Sequence, residues 1–433
     1  MSDRPDQPSA DSLFDSPAAP PAPRPLLEPV DGVPVPLSTA AEITELAAVL
    51  RAGTGPVALD AERASGYRYS ARAQLIQLKR AGVGNVLIDP IAVPDLSAIG
   101  AALHDVEWVL HAANQDLPCL AEVGMVPSKL FDTELGGRLA GLDRVALGTM
   151  TQALLGISLA KGHAAADWSV RPLPQAYLVY AALDVEVLLE LRDEVEKLLD
   201  TQAKLDWAHA EFEAVRNAPP PAIRPHRWRR LNGLGAVKDR RGLAVAEQLW
   251  IARDEIGERL DIAPGRLLAD RSIVGAATGK PDSMAKLLTI DGFTRRGTIA
   301  HRRRWWEAVQ GALSLPERAL PARRETIDDT GAPPSRWMSK EPAVAARFSA
   351  LRSVVLAASE EHQIPAENLI SPGLIRGLAW DPPVATDDAV DVVLIAGGAR
   401  KWQRELLIEP LAAALQAVAD RPPGAIETCQ EPA

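Results

Sequence analysis

Asp60 and Glu62 end the apolar run Val57-Ala58-Leu59 and stand two residues apart. Side chains on a β-strand alternate, so both carboxylates project from one face and make half of a site for a hard cation. Asp116 follows the apolar stretch Trp108-Val109-Leu110, at the start of a helical pattern, where free N–H groups and the macrodipole favour a carboxylate. Tyr180 and Asp184 lie four residues apart in a later helical pattern, so phenol and carboxylate share one face. Taken singly, these are a solvated strand end, a helix-start acid and a tyrosine at the edge of a core. Their conjunction, in chain order within one domain-sized segment, is far more specific: an all-oxygen donor set suited to Mg²⁺ or Mn²⁺.

Periodicity supplies the elements that position them. Ser38 and Thr39 offer a helix N-cap, Glu42 its capping-box partner, and Ile43, Leu46, Ala47 and Leu50 an apolar face, so a helix leads into the strand of Asp60. Leu75 to Leu78 and Val83 to Asp89 follow as strands with tight links, completing a three-strand antiparallel meander. Pro94 to Leu103 as helix, Trp108 to His111 as strand, Gln115 to Val123 as helix and Phe131 to Thr133 as strand then predict a mixed α/β sheet. Short helices over Leu135 to Leu139 and Met150 to Leu155 precede a loop from Gly162 to Pro174. One long helix from Gln175 to about Leu205 closes this first domain, expected over residues 36–215.

Residues 1–35, rich in Pro, Ala, Asp and Ser, are expected to be a disordered tail. Pro219-Pro220-Pro221 marks a stiff linker. Beyond it the chain reads as all-helical with a diverged repeat: Pro264 and Pro365 are followed at equal spacing by Leu268 and Leu369, and then by Ile273 and Leu374. Two helical domains are therefore expected, over 216–315 and 340–420, with a linker at 316–339 and a tail at 421–433.

At 433 residues the chain exceeds one typical core, and its two cysteines, Cys119 and Cys429, frame no disulfide scaffold or zinc site. A reducing cytoplasm fits, and no apolar run approaches the roughly 18 residues of a membrane span. The net charge of −10 is unevenly spread. Arg224 to Arg304 holds 18 Lys plus Arg against 9 Asp plus Glu, a local +9 that leaves −19 for the remainder. Such asymmetry marks a module that meets a polyanion. Arg227, Arg229 and Arg230 around Trp228, and Arg302, Arg303 and Arg304 before Trp305-Trp306, mix guanidinium and aromatic groups as single-strand binders do. The plainer alternative makes these tryptophans core and the arginines solvated.

Asp60-Ala61-Glu62, His111-Ala112-Ala113-Asn114-Gln115-Asp116 and Tyr180-Ala181-Ala182-Leu183-Asp184 resemble, in this order, the motifs of the DEDD exonuclease superfamily, in its tyrosine (DEDDy) branch, and within it the ribonuclease D family. Lys161 and the stretch Ala166-Asp167-Trp168-Ser169-Val170-Arg171-Pro172-Leu173 extend the likeness. The helical repeats resemble paired helicase-and-RNase-D C-terminal (HRDC) domains, so the resemblance covers about residues 35–420. The histidine branch would place its base five residues before Asp184, where Val179 stands. Ala61 replaces the usual Thr between the first acids, and strand alternation turns it away from the metals.

The resemblance implies a ribonuclease H-like exonuclease domain followed by two all-α HRDC-like domains. It implies a 3′–5′ exoribonuclease that releases nucleotides from RNA 3′ ends, tRNA precursors among them. Two divalent cations, Mg²⁺ or Mn²⁺, would be bridged by Asp60, with Glu62 and Asp184 on the ion that activates water and Asp116 completing the site partly through water. Tyr180 would orient the attacking water, since a phenol with a pKa of about 10 is no simple base at neutral pH. His111, Lys161 and Arg171 are candidate RNA contacts, each with an ordinary structural alternative, and Trp168 is read as core. The expected state is a cytoplasmic monomer that takes RNA with a single-stranded 3′ end. A single-strand DNA exonuclease and a catalytically silent RNA-binding protein are the rival readings.

Overall fold

The structure, a computed structural model, describes residues 22–160, 162–163, 165–220, 224–323, 337 and 341–420. Within the expected tail, residues 1–21 lie outside these, but Arg24–Leu26 forms a strand, β1, that pairs in parallel with residues 157–159 and buries Leu26. Farther along, the Val30 N–H donates to Glu186 Oε1 at 3.3 Å. A three-residue strand beside prolines carries no periodicity, so composition concealed it.

Thr39 opens α1 (Ala40–Ala52) in a complete capping box with Glu42, and the helix buries Ile43, Leu46, Ala47 and Leu50 as its spacing predicts. It leads into a five-stranded sheet of β2 (Thr54–Arg63), β3 (Ala73–Ala81), β4 (Gly84–Ile88), β5 (Glu107–Leu110) and β6 (Lys129–Asp132), ordered β4-β3-β2-β5-β6. The β2–β3 and β3–β4 pairs are antiparallel, the β2–β5 and β5–β6 pairs parallel. This is the mixed ribonuclease H-like sheet with its meander. Val57, Leu59, Trp108, Val109 and Phe131 are fully buried within it. β5 ends at Leu110 while its parallel neighbour β2 runs on to Arg63, so Asp60 and Glu62 lie on the part of β2 that extends past the end of β5.

The short helices α2 (Ser97–Ala102), α3 (Leu117–Glu122), α4 (Thr133–Leu139) and α5 (Leu147–Leu155) lead to β7 (Ile157–Leu159). The single long helix expected next is instead α6 (Gln175–Glu186) and α7 (Leu188–Thr201), divided at Val187, followed by α8 (Leu205–Arg216). Val187 is itself buried with Leu183 and Leu26, so the apolar pattern runs through the break and hides it. The break lets α6 cross β2, β3 and β4 while α7 packs on β2 and β5.

The two helical modules differ in how they are held. Residues 224–323 have a core of their own, including Trp228, Leu249, Ile273, Phe293 and Trp305. In residues 341–420, Leu351, Ile375, Leu407 and Leu415 join one continuous apolar cluster with Leu59, Phe131 and Phe212 of the sheet domain. The helix bounds of the two modules repeat, but in a register one residue out of step with the prolines. Asp261 and Gln363, the left-handed caps that end helices 240–260 and 342–362, coincide, which matches Leu267 with Leu369 and Ile273 with Ile375. The pairings Leu268–Leu369 and Ile273–Leu374 fail because the cap-to-proline distance differs by one residue between the copies. The expected linker and C-terminal tail lie mostly or wholly outside the described residues.

Candidate active site

Strand alternation buries Val57, Leu59 and Ala61 on one face of β2 and turns Asp60 and Glu62 to the other. α6 lies over that face and brings down Asp184. Ligand oxygens of Asp60, Glu62 and Asp184 then fall within 4.8 Å of one another. Tyr180 stands one helical turn before Asp184 and lines the same cavity, close enough that each group perturbs the other's ionisation. Beneath Tyr180 lies Trp168, fully buried with its ring centroid 6.2 Å away, so Trp168 is core as read. Asp116 arrives from the other side, at the head of α3 and nearly buried. The turn that carries it passes through Ala112, in the left-handed region at φ 61°. Asp132 holds this turn, accepting from Ala112 N at 3.1 Å and Ala113 N at 2.8 Å while it also caps α4.

Three further residues support the site, and the sequence gives little sign of them. Gln77 faces Asp60 across the β2–β3 ladder, is fully buried, and donates from Nε2 to Asp60 Oδ2. Its signal was a lone amide inside the apolar strand Leu75-Ile76-Gln77-Leu78. Asp132 was one acid in a short strand, with no sign of its bonds to a turn twenty residues upstream. Arg63, adjacent to Glu62, forms an ion pair with Asp116 at 3.4 Å.

Crowding acids out of water makes their ionised forms costly. Burial, then the charges of Asp60, Asp184 and Asp116, pushes Glu62 up to about 10. Burial and Asp60 push Asp116 up to about 8. Burial raises Asp60 to about 6, moderated by backbone and Gln77 hydrogen bonds and by Arg63, and raises Asp184 well above its usual range. Carboxylates that repel one another in this way are relieved by a cation between them, and an all-oxygen donor set suits a hard one. The residues therefore fit a divalent metal centre, in keeping with the metal dependence of this type of exonuclease. Two cavities flank the cluster. One of about 510 Å³ is bounded by Asp60, His111, Gly148, Gln152, Tyr180 and Asp184, and one of about 420 Å³ by Glu62, Arg63, Ser65, Gly66 and Gln115.

The candidate RNA contacts fare unevenly. His111 lines the larger cavity with Nδ1 2.9 Å from Thr133 Oγ1, and burial pulls its pKa down to about 4, so the ring is neutral at physiological pH. Arg171 is a structural clamp rather than a phosphate contact: it spans Asp89 at 2.7 and 2.9 Å and donates to the carbonyls of Gln74, Trp168 and Val170. Lys161 lies outside the described residues. Trp228 and Trp305 are buried in their module's core and cannot stack on bases. Arg227 is paired with Asp254 and lies over Trp250, Arg229 lies over Trp228 and donates to the Ala322 carbonyl, and Arg304 is paired with Glu255. Arg230, Arg302 and Arg303 are exposed.

Residues 34–200, the segment with all four acids and the tyrosine, match a family model described as 3′-5′ exonuclease. The sheet domain thus stands among the 3′–5′ exonucleases. Residues 242–309 match the HRDC domain, and residues 331–415 match a separate model, 3′ to 5′ exonuclease C-terminal domain. Ribonuclease D of Gluconacetobacter diazotrophicus is 30% identical over 364 residues, 81% of this chain and 87% of that protein. The chain belongs to the ribonuclease D family and is a 3′–5′ exoribonuclease. A crystal structure of a protein from Bifidobacterium adolescentis superposes with a TM-score of 0.83 at 34% identity, covering 91% of this chain and 100% of that one. Escherichia coli RNase D, described as an exoribonuclease involved in structured RNA processing, gives 0.64 at 26% identity, covering 88% and 98%.

Proposed function

We propose that this exoribonuclease trims 3′-extended structured RNAs, tRNA precursors among them, from a single-stranded 3′ end, as a cytoplasmic monomer using two divalent cations, Mg²⁺ or Mn²⁺. The observation that carries this reading is the convergence of Asp60, Glu62 and Asp184 beneath the Tyr180 hydroxyl, with Asp116 alongside. Asp60, steadied by Gln77, would bridge the two cations, with Glu62 and Asp184 holding the ion that activates water; their mutual proximity supports this reading. When bound, the cations lower the pKa of water and neutralise charge on the phosphoryl oxygens. Tyr180 stays protonated, because burial and then Asp184 raise its pKa, so it orients water through its hydroxyl and does not act as a base. Exposed Arg230, Arg302 and Arg303 on the HRDC module supply phosphate contacts to the body of the RNA.

A 3′-extended tRNA labelled at its 5′ end tests polarity, substrate and stopping point together. Stepwise shortening with Mn²⁺ or Mg²⁺, abolished by chelation and by Asp60→Ala, is the expected result. Full activity in Asp60→Ala refutes the assignment, and equal or faster digestion of single-stranded DNA refutes the RNA substrate.

A further inference from the structure

On a regular strand Arg63, next to Glu62, would point to the opposite face. The β2–β3 register slips at this point: Glu62 pairs with Leu75 but Arg63 with Ala73. Irregularities of this kind re-aim a side chain. Here the guanidinium comes to lie 3.4 Å from Asp116 Oδ1 and 3.4 Å from Gln115 Oε1. The two ends of the ion pair differ sharply, with side-chain exposures of 26% for Arg63 and 6% for Asp116. Asp116 is fixed at the head of α3, whereas Arg63 opens onto the cavity of about 420 Å³ and is the one cation among the described residues that line it.

We propose that Arg63 is an exchangeable counter-charge: it neutralises Asp116 while the carboxylates hold no divalent cation, and turns to a phosphate of the RNA 3′ end once they do. The distance supports exchange, since charge-assisted hydrogen bonds close to roughly 2.7–2.9 Å and this pair does not. A divalent cation held by Asp60, Glu62 and Asp184 would place like charge beside the guanidinium and so weaken its hold on Asp116. The cavity gives Arg63 somewhere to go, and its planar fork matches phosphate oxygens. The second half of the proposal rests on the exoribonuclease reading; the first does not.

Two substitutions in the full chain, Arg63→Gln and Arg63→Lys, separate the halves. In calorimetric titration without RNA, Arg63→Gln should bind Mn²⁺ about tenfold more tightly at low salt, because an internal competitor worth about that factor is removed. The second readout uses saturating Mn²⁺ and an oligoribonucleotide with a non-hydrolysable 3′-terminal linkage. Arg63→Gln should bind it several-fold more weakly and lower the slope of log Kd against log salt by about 0.7, the value of one single-strand phosphate contact. Arg63→Lys should keep the slope. Unchanged or weaker Mn²⁺ binding in Arg63→Gln overturns the first half, and an unchanged salt slope overturns the second. Failure of the exoribonuclease reading is distinguishable as absence of 3′ trimming by the unsubstituted protein, with the Mn²⁺ titration still decisive for Arg63.

Discussion

Trp402→Ala tests whether residues 341–420 belong to the catalytic core or merely hang from it. Trp402 is 4% exposed, its ring is stacked on Trp207 of α8 at 4.9 Å and 12°, and its Nε1–H donates to Glu211 Oε1 at 3.0 Å. Truncating a buried tryptophan costs about 3–5 kcal/mol, cavity included. Losing the donor adds only about 1 kcal/mol, because Glu211 keeps its pairing with Arg400. For a unit of this size each kcal/mol lowers the melting temperature by roughly 2–4 °C, so a fall on the order of 10–20 °C is expected. Scanning calorimetry should show the transition of the exonuclease domain moving down as one unit, with heat inactivation of 3′ trimming moving alongside. The transition of residues 224–323, which have their own core, should stay in place. If the exonuclease transition is unmoved and a small early transition appears instead, the shared core is not cooperative and the reasoning fails.

Gln77→Leu removes the donor to Asp60 at nearly constant volume, and should cost about 10–100-fold in activity or metal affinity with the fold intact by circular dichroism; unaltered kinetics would show that Asp60 needs no such support. Glu62 at about 10 and Asp116 at about 8 stand far above their unfolded values, so folding without metal takes up protons. In EDTA the melting temperature should therefore rise as pH is lowered from about 9 towards 5, and Mn²⁺ should stabilise more at about pH 8 than at about pH 5.5; a melting temperature that climbs with pH in EDTA contradicts the sign. Arg266→Ala should loosen the docking of the HRDC module on the loop after β2, where Arg266 lies 3.7 Å over the Tyr67 ring and donates to the Gly66 carbonyl at 2.8 Å. Faster hydrogen exchange over residues 64–72 would register this, and unchanged protection would place the docking energy elsewhere, for instance in the Asp261 bond to Ser70 N at 2.8 Å.

Local signals survived into the structure where a short stretch of chain decides the outcome. The Thr39–Glu42 capping box, the alternation around Asp60 and Glu62 and the helical spacing of Tyr180 and Asp184 each depend on a few neighbouring residues, and each placed its side chains correctly. Features set by distant partners were out of reach. The guanidinium of Arg171 follows a phosphate-like geometry, but the carboxylate it grips is Asp89, eighty-two residues away. The tryptophans of the basic module sit among arginines in sequence and among leucines in space. Gln77 and Arg63 matter because β2 and β3 meet in one register with one slip, and register is a property of two strands, visible in neither alone.

The helical repeat carries the same lesson further, because two similar sequences meet different fates. Both copies have a helix of 21 residues ending in a left-handed cap, a single turn and a short third helix. The shared element pattern does not explain why one closes on itself and the other on the exonuclease domain. The difference lies in which copy carries partners for α8, which precedes both. Trp207 stacks on Trp402, Glu211 takes Arg400 and the indole of Trp402, and Lys204, just before the helix, donates to the Leu139 and His362 carbonyls. These partners recruit the second copy and leave the basic first copy to dock through the smaller contact at the loop after Glu62 and Arg63. Truncation near residue 220 would therefore strip the exonuclease of part of its own core, and any loss of RNA binding would be confounded with unfolding. Excision of residues 224–323 alone, with the ends rejoined by a flexible linker, isolates the HRDC contribution. It should flatten the salt dependence of RNA binding while leaving hydrolysis of a dinucleotide measurable. Loss of dinucleotide hydrolysis in a protein that still melts cooperatively would mean that HRDC docking on that loop helps to shape the active site itself.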